Sequence, residues 1–479
     1  MITLRDYQQT QLDKVRAEFA KGHRRVLLQA PTGAGKGAIA GYIVQSATDR
    51  SKRVMIIAHR AEILDQLSGH VKSAGIEHSW IQAGKPTNQL RTVQIASIQT
   101  LVRRVDQITP PDLVILDETH HCVSATYKAV LSRWPLAKVL GLTATPWRLD
   151  GSGLKSEFDV MVLGPTSEWL IDNGFLARPV YYAPPKTVDV TGVKTRCGDY
   201  ISNELETLID TPTVTGNAVE HYLRACSGEK AVAFCVSLKH SQHICDAFNA
   251  SGVTASTIDG EMDRERRKRI MEQFRNGEIK VLTSVDLIGE GVDVPSVGAA
   301  ILLRPTKSLT LHLQQIGRAL RMSPGKERAV ILDHAGNLKR HGLAETVREW
   351  TLEGQPKRKR GEQEERIDVK QCKKCYMVFQ GGRCPNCQTA PEGREVNAVG
   401  GQLVQLTEED KIALKVQRKA EQKNARSLDD LIALGKSRGY KYPRQWAERL
   451  MKYRHERKHP TSKSPTGVGE TSEHPVISQ

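Results

Sequence analysis

The residues best suited to chemistry lie between Gln29 and Gly37, where Gln-Ala-Pro-Thr-Gly-Ala-Gly-Lys-Gly separates the apolar run Val26-Leu27-Leu28 from Ala38 to Val44. The first run reads as a buried strand and the second as a helix. A glycine-rich turn between them aims backbone N–H groups into a concavity at a helix N-terminus, where a phosphate is well stabilised. Lys36 adds a positive charge for the outer phosphates. The spacing is G-x-x-x-x-G-K with Ala30 in the first glycine position, so Pro31, Thr32, Gly33, Ala34, Gly35, Lys36 and Gly37 form the candidate cradle. Gly37 departs from the pattern, because a Ser or Thr hydroxyl ordinarily holds Mg²⁺ there. Downstream, Asp117-Glu118 closes a second apolar run, Leu113 to Leu116. A carboxylate at the end of a buried strand can hold Mg²⁺, and its neighbour can orient or deprotonate an attacking water. Taken alone, the pair equally suits a helix N-terminus.

A second constellation lies far downstream. Of nine cysteines, four form Cys372-x₂-Cys375-x₈-Cys384-x₂-Cys387. Two tight turns, each offering two thiolates, suit a tetrahedral Zn²⁺, and four sulfurs close the shell, which makes such a site structural. Two disulfides are the alternative, one that a reducing cytosol disfavours.

The elements that must position these groups alternate along the chain. The first 20 residues read as a helix with Leu4, Tyr7, Leu12, Val15 and Phe19 on one face, and Gln8 on it could reach a purine edge. Val54 to Ala58, Val93 to Ala96 and Leu113 to Leu116 are strand-like runs, each followed by a polar segment. The second half repeats the alternation: strands at Ala231 to Cys235, Ile279 to Thr283 and Ala299 to Leu303, helices at Leu238 to Phe248 and Arg264 to Phe274, then a helix bearing Gln315 to Leu320. Repeated βα units imply parallel sheets with helices on both faces, with ligands at the carboxyl ends of the strands. Arg318 and Arg321, three apart on one helix, are expected to project from one face and could serve as arginine fingers; a solvated pair is the plain alternative.

Six segments occur in an order that resembles superfamily 2 helicases of the DExH type, most similar to the bacterial RadD group and its phage relatives. They are Arg5 to Gln8, Pro31 to Gly37, Asp117-Glu118-Thr119-His120, Leu142 to Pro146, Glu290-Gly291-Val292-Asp293 and Gln315 to Arg321. The resemblance implies two tandem RecA-like domains with ATP and Mg²⁺ between them. Lys36, Asp117, Glu118, Gln315, Arg318 and Arg321 would carry the chemistry, with Gln8 at the adenine and Asp293 at the ribose. Gln315 and His120 would couple the cleft to nucleic acid, and Arg60, Thr100, Ser237 and Lys239 would contact it; a solvated-loop role is the alternative for each. Ser284-Val285-Asp286 lacks the threonine that many members carry before that aspartate.

The resemblance and the composition together give an expected organisation. Residues 1–165 form the first RecA-like domain, 166–212 a crossover and 213–350 the second domain. A basic linker (351–370), a four-cysteine zinc module (371–390), a basic helical region (391–457) and a disordered tail (458–479) follow. Helix starts are expected at Thr407 and Ser427, and Tyr442 and Trp446 could stack on bases or pack on a helix. A net charge of +16 over 479 residues favours a polyanionic partner. Single-stranded or branched DNA leads, with RNA as an alternative and a single-strand-binding protein as a further partner. No apolar run approaches the ~20 residues of a membrane span, so no membrane role is expected. The expected location is the cytoplasm of a bacterial or phage-infected cell. The functional expectation is an ATP-dependent DNA helicase or translocase in replication, recombination or repair, against a weakly hydrolysing, nucleotide-gated scaffold.

Overall fold

The computed structural model describes residues 3–119, 122, 124–184, 188–196, 198–285, 297–355, 369–372, 374–380, 382–389, 420–422, 424–425, 427–438, 443–444, 446–448 and 450–451. Two compact units divide the chain, Met1–Pro391 and Glu392–Gln479.

The first lobe of the larger unit opens with α1 (Asp6–Ala20), β1 (Arg25–Gln29), α2 (Lys36–Thr48), β2 (Val54–Ala58) and α3 (Ala61–Ser73). It continues through β3 (Ser79–Ile81), β4 (Val93–Ser97), α4 (Ile98–Leu101), β5 (Leu113–Asp117), α5 (Ala125–Ser132), β6 (Lys138–Thr143) and β7 (Val160–Leu163). The strands pair in parallel in the order β3-β4-β2-β5-β6-β1-β7. Successive strand side chains point to opposite faces, and the buried residues divide accordingly. Leu27, Met55, Ile57, Val114 and Leu116 join one core, whereas Val26, Leu28, Val54, Ile56 and Ile115 join the other. A sheet with a core on each face must be covered on both, which is why its strands read as unbroken apolar runs.

The second lobe begins earlier than the sequence suggests. After α6 (Ser167–Asp172), β8 (Arg178–Tyr182) pairs in parallel with the last βα-type strand of this lobe, β15 (Arg328–Asp333). Residues 178–182, inside the segment expected to be a crossover, therefore belong to the second sheet. Between them run the hairpin β9 (Thr195–Arg196) and β10 (Asp199–Tyr200), then α7 (Ser202–Ile209), α8 (Pro212–Cys226), β11 (Ala231–Phe234) and α9 (Leu238–Ala250). β12 (Ala255–Ile258), α10 (Arg264–Asn276), β13 (Val281–Ser284), β14 (Ala299–Leu302) and α11 (Leu309–Leu320) precede β15, and α12 (Asn337–His341) follows it. Two short antiparallel strands from the cysteine module, β16 (Lys370–Gln371) and β17 (Met377–Phe379), complete the order β12-β13-β11-β14-β15-β8-β17-β16. The module thereby covers the edge of β8 that would otherwise present unpaired backbone. Alternation again makes two cores, with Val232, Phe234 and Leu282 on one face and Ala231, Ala233 and Val281 on the other. Two α/β lobes with parallel sheets are thus the architecture expected of tandem RecA-like domains.

The chain then returns to the first lobe. Trp147 meets Trp350 edge-on with centroids 4.6 Å apart, and its indole N–H donates to the Thr351 carbonyl at 3.0 Å. The N–H groups of Leu154 and Lys155 both donate to the Leu352 carbonyl, Ser152 bridges to Gly354, and Leu352 is buried in the first-lobe core. Residues 351–355, expected to start a linker, form with Trp350 a strap across the two lobes.

In the smaller unit, α13 (Leu428–Ser437) starts where Ser427 predicts. The Ser427 hydroxyl accepts from Asp430 N–H and the Asp430 carboxylate accepts from Ser427 N–H, both at 3.0 Å, a reciprocal cap. Trp446 packs on this helix at Gly435, which supports its packing role. The helix start at Thr407, Tyr442 and residues 356–368 and 452–479 lie outside the described residues.

Truncating the strap tests its role. Leu352→Ala should cost about 2–4 kcal/mol, as for other buried leucines, read as an earlier first-lobe unfolding transition by tryptophan fluorescence. A change below about 0.5 kcal/mol, the range of surface substitutions, would mean the strap does not support that lobe.

Candidate active site

The phosphate loop is built as its glycines require. Gly35 is the N-cap of α2 with φ +80°, a left-handed conformation that side chains oppose. Two donors from α1 brace the loop from behind: Tyr7 Oη and Gln8 Nε2 donate to the Ala34 carbonyl at 3.0 and 3.1 Å. Gln8 Oε1 accepts from Arg5 N–H at 3.0 Å, so the buried glutamine links the start of α1 to the loop. Lys36 Nζ donates to the Ala30 carbonyl at 3.0 Å. Burial pulls the Lys36 pKa down, Glu118 and Asp117 push it back up, and Arg321 and Arg318 lower it further. One ammonium is thus within electrostatic reach of both acids of the first lobe and both arginines of the second.

The acids close the strand. β5 ends at Asp117, whose Oδ1 accepts from Glu118 N–H at 3.0 Å. Glu118 has φ +47°, which a non-glycine residue adopts at a cost of roughly 1–3 kcal/mol and which clusters at functional turns. Behind them, Gln29 Nε2 donates to the Ala144 carbonyl at 2.8 Å and Thr143 Oγ1 to the Thr145 carbonyl at 2.7 Å, tying β1 to the end of β6.

The second lobe meets the loop directly. A methyl on Gly317 of α11 would lie 2.5 Å from Thr32 Cβ, and one on Gly33 would lie 3.7 Å from Arg321 Cγ. Gln315 and Arg318 are buried on α11. Arg321 is not on that helix: it is the C-cap, in an extended conformation with φ −61° and ψ 133°. The expected common helical face is therefore corrected, because i, i+3 spacing places side chains together only while the helix continues. Arg321 is positioned instead by Leu176, with which it forms an antiparallel bridge, and by the neighbouring bond from Ala177 N–H to the Leu320 carbonyl at 2.8 Å. Lys326 closes the helix end, its ammonium donating to the carbonyls of Ala319, Arg321 (2.7 Å) and Val297 (2.6 Å). Burial pulls Lys326 down to about 8. Tyr7, Leu176 and Lys326 escaped the sequence reading. Of these, Tyr7 is placed by the sequence on the apolar face of the first helix, without its hydroxyl's role.

Comparison with known proteins agrees with this geometry. Residues 1–148 match the family model described as Type III restriction enzyme, res subunit, and 216–323 match the helicase conserved C-terminal domain. A 51.5 kDa protein of Lactococcus phage (isolate 7-9) is 34% identical across 81% of this chain and 84% of its own length. The chain belongs to the DExH-type helicases of superfamily 2. It is similar at 25% identity to the DNA 3'-5' translocase XPB2 of Sulfurisphaera tokodaii, over 67% of this chain and 79% of that protein. Its fold resembles a fragment assigned to the HsdR subunit of a Vibrio vulnificus type I restriction enzyme, with a TM-score of 0.57 at 21% identity over 70% of this chain and 66% of that one. Like other members of its family, this helicase is an ATP-hydrolysing enzyme.

The other residues expected at the site fall as follows. His120 and Asp293 lie outside the described residues. Arg60 is the N-cap of α3, past the end of β2, and Thr100 lies on α4, past the end of β4. Gln99 Nε2 donates to the His59 carbonyl at 2.9 Å and links these two loops. Ser237 follows β11 as the N-cap of α9, its hydroxyl accepting from His240 N–H at 3.1 Å, and Lys239 is exposed in the first turn. All four therefore stand at the carboxyl ends of strands, two on each lobe. Among the described residues no helix is long and apolar enough to cross a membrane.

The four cysteines of the module converge, with all Sγ atoms within 4.8 Å of one another and the pairs Cys372–Cys387 and Cys375–Cys384 at 3.4 and 3.5 Å. Tetrahedral Zn–S bonds of ~2.3 Å give S···S separations of about 3.8 Å. The cluster is thus compatible with Zn²⁺. The Thr389 hydroxyl 3.1 Å from Cys387 Sγ helps lower that thiol to about 6. Metal analysis provides the check. The purified protein should hold one zinc, and Cys384→Ser should release it and unpair β17 from β8; unchanged metal content in that variant would contradict the assignment.

Proposed function

We propose that the chain is a DNA-dependent ATPase that moves along DNA as a helicase or translocase, with one ATP enclosed by the two lobes. The reading rests chiefly on one observation, the direct packing of the second lobe on the loop that bears Lys36, where a Cβ on Gly317 would lie 2.5 Å from Thr32 Cβ and one on Gly33 would lie 3.7 Å from Arg321 Cγ. In this account the phosphate loop from Pro31 to Gly37 cradles the outer phosphates, Gln8 contacts the adenine and Asp293 the ribose. Asp117 would hold Mg²⁺, which when bound neutralises charge on the β- and γ-phosphates. Glu118 accepts the proton of the water that attacks the γ-phosphorus, the bond to the β-phosphate oxygen breaks, and ADP and phosphate result. Arg318 and Arg321 stabilise the charge spread over the transferring group, for which a planar guanidinium is well suited. Gln315, buried on α11, and His120 couple that chemistry to nucleic acid.

On DNA, Arg60 and Thr100 of one lobe and Ser237 and Lys239 of the other are proposed to grip phosphates, contacts that fix position without reading sequence. A cleft that tightens on ATP and relaxes after hydrolysis would move one grip relative to the other. The net charge of +16 supports a polyanionic track. Single-stranded or branched DNA is the proposed substrate in replication, recombination or repair, in a bacterial or phage-infected cytoplasm and with a single-strand-binding protein as a partner. The four-cysteine module is proposed to hold structural Zn²⁺.

One ATPase assay with single-stranded, forked and duplex DNA and with RNA tests this reading. Turnover should rise with single-stranded or forked DNA and be abolished by Lys36→Ala. Arg321→Ala should reduce turnover by about 10³-fold, the scale of an arginine finger, while ATP binding survives. ATP binding with only negligible turnover on every nucleic acid would instead point to a weakly hydrolysing, nucleotide-gated scaffold, the alternative that Gly37 keeps open. A response to RNA alone would reassign the substrate.

A further inference from the structure

Gly37 occupies the first turn of α2 with an ordinary right-handed backbone, so its conformation does not demand glycine. The space around it does. A Cβ at this position would lie 2.5 Å from Nδ1 of His70 and 3.5 Å from its Nε2, with Cε1 in contact as well. The imidazole of α3 thus stands in the volume that a serine or threonine side chain would fill after the lysine of the phosphate loop. Such a hydroxyl is the ordinary protein ligand for the ion bound with the nucleotide. One side chain is missing and another, itself an ion ligand, has come into its place from the neighbouring helix.

We propose that His70 takes over the coordination position of the absent hydroxyl and gives the nucleotide's divalent ion one nitrogen ligand. The inference rests on the reading of this loop as the nucleotide site, where Asp117 supplies an oxygen ligand. A neutral imidazole is a good ligand through either ring nitrogen. Imidazole suits transition metals, whereas Mg²⁺ strongly prefers oxygen. The site should therefore discriminate less in favour of Mg²⁺, and Mn²⁺ or Co²⁺ should bind with ADP more tightly than in a relative that retains the hydroxyl. Gly37 also acquires a reason: any side chain there would displace the ring.

Pulsed electron paramagnetic resonance of the full chain with Mn²⁺ and ADP tests the inference without turnover. The wild type should show hyperfine coupling to a directly bound ¹⁴N that changes to ¹⁵N when only histidine is isotopically labelled. His70→Ala and the size-preserving His70→Gln should both lose that coupling and lower Mn²⁺ affinity on the order of tenfold. Gly37→Ser combined with His70→Ala should recover ADP binding with Mg²⁺ but not the nitrogen signal. Bound Mn²⁺ without histidine coupling in the wild type, or coupling that survives in both single variants, would overturn the role of His70 alone. Failure of Mn²⁺ and ADP to bind together at all would overturn it along with the nucleotide-site reading.

Discussion

The close approach of α11 to the phosphate loop is the constraint on which the rest of the site depends. Gly317 lies against Thr32 with no room for a Cβ, so the helix that bears Gln315 and Arg318 rests directly on the loop that holds Lys36. A single buried cluster runs through this contact, joining Ala30 and Ala34 of the first lobe to Leu176, Ile316 and Leu320 of the second. Packing of this kind brings charged groups of both lobes within electrostatic reach of Lys36. Lys36 shows the result: desolvation disfavours its charge, two carboxylates restore it and two guanidiniums oppose it.

The lobes are joined twice. Residues 164–177 lead out of the first lobe past Leu176, and residues 350–355 return to it along Trp147, Ser152 and Leu154. Any rigid-body opening must bend both connections. The arginine that terminates α11 is bound to the first of them, through the Leu176 bridge. Lys326 adds a third restraint by holding the carbonyls at the helix end. Arg321 is thus set by Leu176, far away in sequence, and by Lys326, five residues on.

The strands, the loop and the acid pair were legible because their signals are local. Short apolar runs describe buried parallel strands: β2, β11 and β14 are apolar throughout, β5 adds only Asp117 at its end, and β1 holds Val26-Leu27-Leu28 between Arg25 and Gln29. The reciprocal cap at Ser427 and the converging cysteines were legible for the same reason. What escaped was set by partners far along the chain. Nothing near Arg178 announces that β8 pairs with β15, since its companion is 150 residues away. The spacing of Arg318 and Arg321 implied one helical face, and the helix ended one residue too soon. Gly37 read as a simple loss, because the ring that fills its space is on another helix. The spacing of the four cysteines identified a cluster but not the antiparallel pairing by which the module extends the second sheet.

The claim that both lobes enclose one triphosphate is tested most directly by a structure of the protein with ADP and aluminium fluoride, which imitates the transferring phosphoryl group. The account predicts that Lys36 from one lobe and the guanidiniums of Arg318 and Arg321 from the other lie within hydrogen-bond distance of the fluoride. A fluoride contacted by first-lobe residues alone, with both arginines turned to solvent, would contradict it.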